Sequence, residues 1–156
     1  MWRASVLAAF IVVAGTLLVG CRPIEGAGRL GETVTAGDYQ LRAAENLENP
    51  AASPDRFTNP KTGYRFVKLD VTVVNTGSQH LPLAASHFTL VDTGGIENPA
   101  MRGIPTDTGL RETSLGPGQQ LTVPVYFEMA SNQAPVRLVF GPKVVGWNTR
   151  LVVQLT

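Results

Sequence analysis

The chain has 156 residues, of which 44% are hydrophobic and 16% charged, a composition typical of a globular domain rather than a disordered one. Its thirteen Lys and Arg residues almost balance its twelve Asp and Glu residues, and no basic run indicates nucleic-acid binding. The single cysteine, Cys21, excludes an internal disulfide, so the domain must rely on an apolar core. The length is sufficient for such a core.

Residues 1–20 have the layout of a signal peptide. Arg3 supplies one positive charge, and an uncharged apolar run from Ala4 to Val19 follows it. The alternative is a membrane-spanning helix, which needs about 20 apolar residues. The run is shorter than that and contains Gly15 and Thr16, so the signal peptide is favoured.

The end of this run resembles the lipobox of bacterial lipoproteins, in which Leu, an aliphatic residue and Gly or Ala precede a cysteine. The matching residues are Leu18, Val19, Gly20 and Cys21. The resemblance implies that Cys21 receives a diacylglycerol with acyl chains such as palmitate, and that cleavage makes it the first residue. The expected location is extracytoplasmic, with a lipid anchor in the cell membrane, or in an outer membrane if the host has one. The other interpretation is a buried cysteine at the end of a membrane helix.

Residues 21–29 are expected to form a lipidated tether, because Pro23, Gly26 and Gly28 lie among charges without any periodicity. The folded domain is then expected over residues 30–156, close to the bilayer. Residues 26–31 also match G-x-G-x-x-G, but a dinucleotide site needs a strand before this motif and a helix after it. A chance match in a linker is the better interpretation.

The remaining sequence predicts an immunoglobulin-like antiparallel β-sandwich of about seven strands, because apolar and polar residues alternate in several segments. In the clearest segment, Tyr64 to Asn75, Val67, Leu69, Val71 and Val73 share one face, and Phe66, Lys68, Asp70 and Thr72 share the other. Pro124 interrupts the segment from Leu121 to Met129, which must therefore be an edge strand or carry a bulge. The other predicted strands begin near Leu30, Tyr39, Phe88, Val136 and Leu151.

Three segments resemble a widespread bacterial domain of unknown function, found in immunoglobulin-like secreted lipoproteins. A Gly-aromatic pair, Gly63-Tyr64, opens a long strand that ends at Asn75. The segment Phe88-Thr89-Leu90-Val91-Asp92 and the turn Leu115-Gly116-Pro117-Gly118 follow in the order seen in that group. The family is structurally similar to an immunoprotective antigen secreted by mycobacteria. The resemblance implies a fold but no established activity.

No set of residues indicates catalysis or a cofactor, so the chain is not expected to be an enzyme. His80 and His87 fit no metal-binding spacing and are expected to be solvated surface residues. Asp92 and Asp107 lie near glycines, but turn capping is favoured over calcium binding. Trp147 is expected in the core, with an exposed aromatic platform as the alternative.

The leading hypothesis is a membrane-anchored, non-catalytic binding or assembly module that contacts an unknown protein or envelope ligand through its loops. The alternative is an inhibitor or protective factor against extracellular enzymes, with residues 51–59 as a candidate inhibitory loop. The two long connections, residues 47–63 and 93–114, are expected to meet at one pole of the sandwich. That expectation fails if a strand inside 93–114 reverses the chain early.

Overall fold

A computed structural model describes residues 24–51, 59–102, 110–142 and 149–156. These residues form eleven strands and a short 3-10 helix, Ala85–His87, and none of their helical structure is long enough to span a membrane. The strands are β1 (Ile24–Arg29), β2 (Thr33–Ala36), β3 (Tyr39–Glu48), β4 (Tyr64–Asn75), β5 (Leu81–Leu83), β6 (Phe88–Asp92), β7 (Glu97–Pro99), β8 (Thr113–Leu115), β9 (Gln120–Ala130), β10 (Pro135–Phe140) and β11 (Thr149–Gln154).

The strands make two main sheets and one small one. The five-stranded sheet has the order β1-β11-β10-β6-β7, the four-stranded sheet has the order β2-β3-β4-β9, and β5 pairs with β8. All these pairings are antiparallel except that of β1 with β11, which is parallel. The two main sheets enclose a single apolar core, so the predicted all-β sandwich is confirmed.

The core is formed by the inward-facing side chains of both sheets. Phe140 packs against two other aromatic rings in it, with its ring centroid 4.9 Å from that of Phe88 and 5.1 Å from that of Tyr39. Each fully buried aliphatic or aromatic side chain contributes about 1.5–3 kcal/mol of transfer free energy. Such contributions must offset the conformational entropy lost on folding, because the chain has no disulfide within the domain.

The predicted facing of β4 is confirmed with one exception. Val67, Leu69, Val71 and Val73 are all buried in the core cluster. Phe66 was expected on the exposed face beside Lys68, but only 1% of its surface is accessible. Phe66 does not belong to the core cluster, so the alternating pattern placed it on the correct face of β4. The prediction that this side chain is exposed is wrong.

Residues 24–29 are a strand and not a tether, so the expected domain boundary at residue 30 is wrong. Each residue of β1 has a partner in β11, from Ile24 opposite Thr149 to Arg29 opposite Gln154. A side chain at Gly26 would collide with the carbonyl oxygen of Thr35 in β2. Gly26 and Gly28 leave room for the neighbouring strand β2, and this close approach explains the glycines better than a flexible linker does.

The chain turns after β1 and forms a second strand. Gly31 adopts a φ of 80°, and β2 then begins at Thr33, which displaces the strand expected from Leu30. Since a strand and not a helix follows the G-x-G-x-x-G match, the dinucleotide interpretation is excluded as expected.

The expectation that 93–114 forms one long loop is wrong. Asp92 caps a tight turn, and β7 then runs back antiparallel to β6 within this connection. The backbone amide of Met101 donates to the Tyr126 carbonyl at 2.8 Å, which ties the chain to β9. Because β7 reverses the chain inside 93–114, a single surface shared by all of 47–63 and 93–114 is excluded.

Pro124 lies in an edge strand, as predicted. β9 is the last strand of its sheet and pairs only with β4 along most of its length. The Tyr126 carbonyl points away from β4 towards Met101. Backbone groups two residues apart in a strand point in the same direction, so the backbone of Pro124 also faces away from β4. The missing N–H of Pro124 thus costs β4 no hydrogen bond.

Candidate functional site

The predicted lipidation site lies outside the described residues. Cys21 and the lipobox residues Leu18, Val19 and Gly20 precede Ile24, as does the signal segment 1–20. These assignments therefore remain predictions. The structure does show how little chain separates Cys21 from the first strand.

The residues considered for metal binding or catalysis do not come together. His80 is exposed as expected, but His87 is buried against the Phe140 ring, because the 3-10 helix directs it inward. Asp92 caps a turn, since its Oδ1 accepts hydrogen bonds from the amides of Gly94 and Ile96 at 2.9 Å each. Within the described ranges, no three His, Cys, Asp or Glu side chains cluster as metal ligands would.

Asp107 and Trp147 lie outside the described residues, so their predicted roles are not tested. The same is true of residues 52–58, the centre of the candidate inhibitory loop 51–59. No contact in the structure therefore favours the inhibitor hypothesis over the binding-module hypothesis.

Two surface depressions are large enough to be considered as ligand sites. One, of about 310 Å³, is lined by Ala84, Ser86, Arg102 and neighbouring residues near the start of β8. The other, of about 410 Å³, lies on the outer face of the four-stranded sheet beside Arg42, where β3 bulges because residues 44–46 lie opposite the single residue Asp70 of β4. Neither lining includes a histidine or cysteine, and a polar outer face is ordinary for an antiparallel sheet.

The sandwich has two poles, which the strand directions define. The N-terminal pole is the end at which β1 begins, where Ile24 pairs with Thr149 and Gly37 lies beside Thr149. The Asp38 carbonyl accepts a hydrogen bond from the Thr76 amide at 2.9 Å, which places the end of β4 at the same pole.

The distal pole is the opposite end, where three connections are hydrogen-bonded to one another through the turn between β9 and β10. The amide of Ser131 donates to the Gly63 carbonyl, and the amide of Thr93 donates to the Ala134 carbonyl, each at 2.9 Å. Arg65 donates from its two terminal nitrogens to Asn49 at 2.7 Å and to the Gln133 carbonyl at 2.9 Å. The start of β4, the turn after β6 and the turn after β9 therefore form one connected surface.

This distal pole also carries the two large apolar side chains that stay exposed among the described residues. Tyr64 is 44% exposed at the first position of β4, and Ile96 is 61% exposed in the turn after β6. Isolated exposed apolar residues are common on protein surfaces. Here both lie at the same end of the molecule, on either side of the turn from residue 131 to residue 134.

A charged pair fixes the chain that leads to Tyr64. The Lys61 amide donates to Glu128 Oε1 at 2.8 Å, and the Lys61 ammonium lies 2.9 Å from Glu128 Oε2. The backbone hydrogen bond from Lys61, helped by its ammonium, holds the pKa of Glu128 below its usual value of 4.5. The ammonium also lies 5.8 Å from the centroid of the Tyr64 ring. The last residues of the connection 47–63 are thus held in place.

The sides of the sandwich leave little free strand edge in the described residues. On one side β1 packs against β2, with Gly26 at the Thr35 carbonyl. On the other, Ala100 bridges to Phe127 in β9, just after β7 ends. Addition of a partner strand at an edge is therefore disfavoured, and the poles remain as the more open surfaces.

The sequence pattern of a family described as a domain of unknown function, DUF4352, matches residues 28–150. The chain belongs to the DUF4352 family. No catalytic family is indicated, and no curated protein matches the sequence significantly.

Solved structures share the DUF4352 chain's fold at low sequence identity. The secreted protein MPT63 of Mycobacterium tuberculosis has a TM-score of 0.64 and 17% identity over 86% of this chain and 99% of its own. The yjhA protein of Bacillus subtilis has a TM-score of 0.62 and 16% identity, covering 83% of this chain and 99% of its own. A candidate lipoprotein of the same species, ycdA, has a TM-score of 0.61 and 15% identity over 77% of this chain and 38% of its own. At these identities the likeness establishes the fold alone.

Proposed function

We propose that the protein is a lipid-anchored, non-catalytic binding or assembly module that acts outside the cell membrane and contacts a partner through its distal pole. The lipobox at Cys21 supports the anchor, and the matching family is one of unknown function that indicates no catalytic activity. Fold relatives that are described as secreted, or as a candidate lipoprotein, agree with an extracytoplasmic location.

The observation that carries the binding role is the position of Tyr64 and Ile96. Both are exposed at the end of the sandwich opposite the start of β1, on backbone held by hydrogen bonds. Tyrosine is enriched at protein interfaces, because its ring buries area at a small cost in conformational entropy. An apolar pair on a rigid frame is suited to docking against a protein surface.

The anchor is tested by membrane fractionation of Cys21→Ala. The variant is expected to leave the membrane pellet, because no helix among the described residues is long and apolar enough to span a membrane in place of the lipid. A Cys21→Ala protein that still sediments with membranes after a high-salt wash would show that lipidation is not the anchor.

The binding surface is tested by photo-cross-linking in intact membranes. A photoreactive amino acid replaces Tyr64 or Ile96 in the full chain, and a matched control replaces Thr122, which is exposed on the outer face of the four-stranded sheet. We expect discrete adducts from positions 64 and 96 and none from position 122. Adducts from position 122 alone, or from none of the three, would contradict the proposed surface.

The binding is expected to depend weakly on salt. At the distal pole Lys61 is already paired with Glu128, and Ile96 carries no charge. Association without a charge excess gains little from long-range steering. Cross-linking yields that fall steeply between low and physiological salt would contradict this.

A further inference from the structure

The first strand of the fold begins very close to the predicted lipidation site. β1 starts at Ile24, three residues after Cys21, and is paired with β11 from its first residue. Three residues reach at most about 10 Å when fully extended. The connection between the lipid and the fold is therefore short.

The connection is short compared with the length of the domain. β4 has twelve residues and runs from one pole to the other, which corresponds to a length of roughly 40 Å. A lipid held by the connection therefore lies beside the N-terminal pole and cannot reach the distal pole.

The chemistry of the surfaces also bears on whether the domain stands upright or lies on its side. Four exposed side chains around the end of β4 at the N-terminal pole are uncharged and polar, namely Thr76, Ser78, Gln79 and Gln119. The charged side chains of Arg102, Arg111 and Glu112 lie beside the 3-10 helix at the same end. Hydroxyl and amide groups can exchange water for lipid headgroups at a small cost, because headgroups also accept hydrogen bonds. The four polar residues extend the contact surface around the start of β1.

The flanks have a different character. The outer face of the five-stranded sheet carries Arg29 and Arg137, with the Arg150–Glu25 pair close to the N-terminal pole, and that of the four-stranded sheet carries Lys68 between Glu48 and Asp70. Resting on either flank would bring charges of both signs against the headgroups. Charges are the groups that lose most when water is removed.

We infer that the N-terminal pole rests on the membrane surface that holds the lipid, so that the sandwich stands upright and its distal pole points away from the bilayer. The inference depends on the proposed lipidation of Cys21. It identifies the partner of the N-terminal pole as a lipid surface, and it leaves Tyr64 and Ile96 on the side where another protein can approach.

The test uses the lipidated full chain in phosphatidylcholine vesicles that carry a spin-labelled headgroup as a short-range quencher. Because the Cys21 thiol is consumed by the lipid, an introduced cysteine is a unique site for a fluorophore. Gln79→Cys reports the N-terminal pole, Ser131→Cys the distal pole, and Thr122→Cys and Ala27→Cys the two flanks. All four positions are exposed, and thermal unfolding confirms that each variant folds.

We expect strong quenching at position 79, weaker quenching at positions 27 and 122, and none at position 131. A flank label quenched more than position 79, or equal quenching at positions 79 and 131, would overturn the upright orientation. Insertion of twelve Gly and Ser residues between Pro23 and Ile24 should reduce the quenching at position 79 without loss of vesicle binding. Undiminished quenching would show that the short connection does not set the orientation.

The outcomes separate this inference from the proposed function. A failed anchor appears as loss of vesicle binding before any label is read. A wrong orientation appears as intact vesicle binding with the wrong order of quenching. A wrong partner surface appears only in the cross-linking experiment.

Discussion

The side-chain amide of Asn75 donates to the backbone carbonyl of Leu115 at 2.8 Å and thereby joins the end of β4 to the end of β8. The same nitrogen donates to the Gln79 carbonyl, and Oδ1 accepts from the Gly77 amide at 2.9 Å. Asn75 is fully buried, and its own amide bonds to the Gln119 carbonyl. One side chain therefore ties the connection from β4 to β5 to the start of the connection from β8 to β9 at the N-terminal pole.

We predict that Asn75→Ala lowers the free energy of unfolding by about 3 kcal/mol, because buried carbonyls and an amide lose their partner. Gln79→Ala is the control, since it keeps the carbonyl that Asn75 uses and removes only an exposed side chain. It should cost less than about 0.5 kcal/mol. Urea unfolding measures both, and equal effects would contradict the role assigned to Asn75.

A second prediction concerns β1. Gly26→Val should destabilise the domain by about 2 kcal/mol or more, because the new side chain meets the Thr35 carbonyl and Leu151. Ala27→Val is the matched control, since Ala27 is the next residue along and is exposed. Its effect should stay within about 0.5 kcal/mol. Thermal unfolding that is the same for both variants would indicate that residues 24–29 are a tether after all.

A third prediction tests the edge position of β9. The backbone of Val123 points towards Val71 in β4, whereas that of Pro124 points away. Val123→Pro should cost at least about 2 kcal/mol more than Val123→Ala, which accounts for the lost side chain. Pro124→Ala should change the stability by less than about 1 kcal/mol. A large loss in Pro124→Ala would show that Pro124 has another role.

A fourth prediction concerns pH. The pKa of Glu128 is lowered by the Lys61 backbone hydrogen bond and by the Lys61 ammonium, so the folded state favours the carboxylate. The resulting stability is present above the usual value of 4.5 and is lost as the pH falls through the lower folded-state pKa. The melting temperature of the wild type should therefore exceed that of Glu128→Gln at pH 7, and the difference should shrink in acid.

The control for this pH effect is Glu97→Gln. Glu97 is exposed and makes no ion pair in the described part of the chain. Its melting temperature should follow that of the wild type at both pH values. If the gap for Glu128→Gln is constant from pH 7 to below about pH 4, the interaction with Lys61 does not stabilise the fold.

Alternation predicted the long strands well because one face of each is buried in a single core. The segment from Tyr64 to Asn75 was predicted with the bounds that the structure shows, and β9 differs from its prediction by one residue at each end. The sequence also predicted the turn before β9, in which Gly118 adopts a φ of 71° after Pro117. In these segments local sequence and tertiary packing specify the same structure.

The short strands could not be predicted in this way. β5 and β7 have three residues each and contain a proline, so neither shows any period. β1 contains two glycines because β2 passes close to them. A local sequence pattern cannot show such a contact between separate segments. The burial of Phe66 and His87 likewise depends on distant parts of the chain. The sequence analysis placed both long connections at one pole, but it missed β7, which limits the contribution of 93–114 to the distal pole to the turn that carries Ile96.

The parallel pairing of β1 with β11 decides how the protein would respond to mechanical tension. A partner held at the distal pole and a lipid held at Cys21 would pull along the strands in opposite directions. All six residue pairs of β1 and β11 would then be loaded in shear at the same time, instead of separating one after another from an end. The terminal strand would act as a clamp between the membrane and whatever the domain holds.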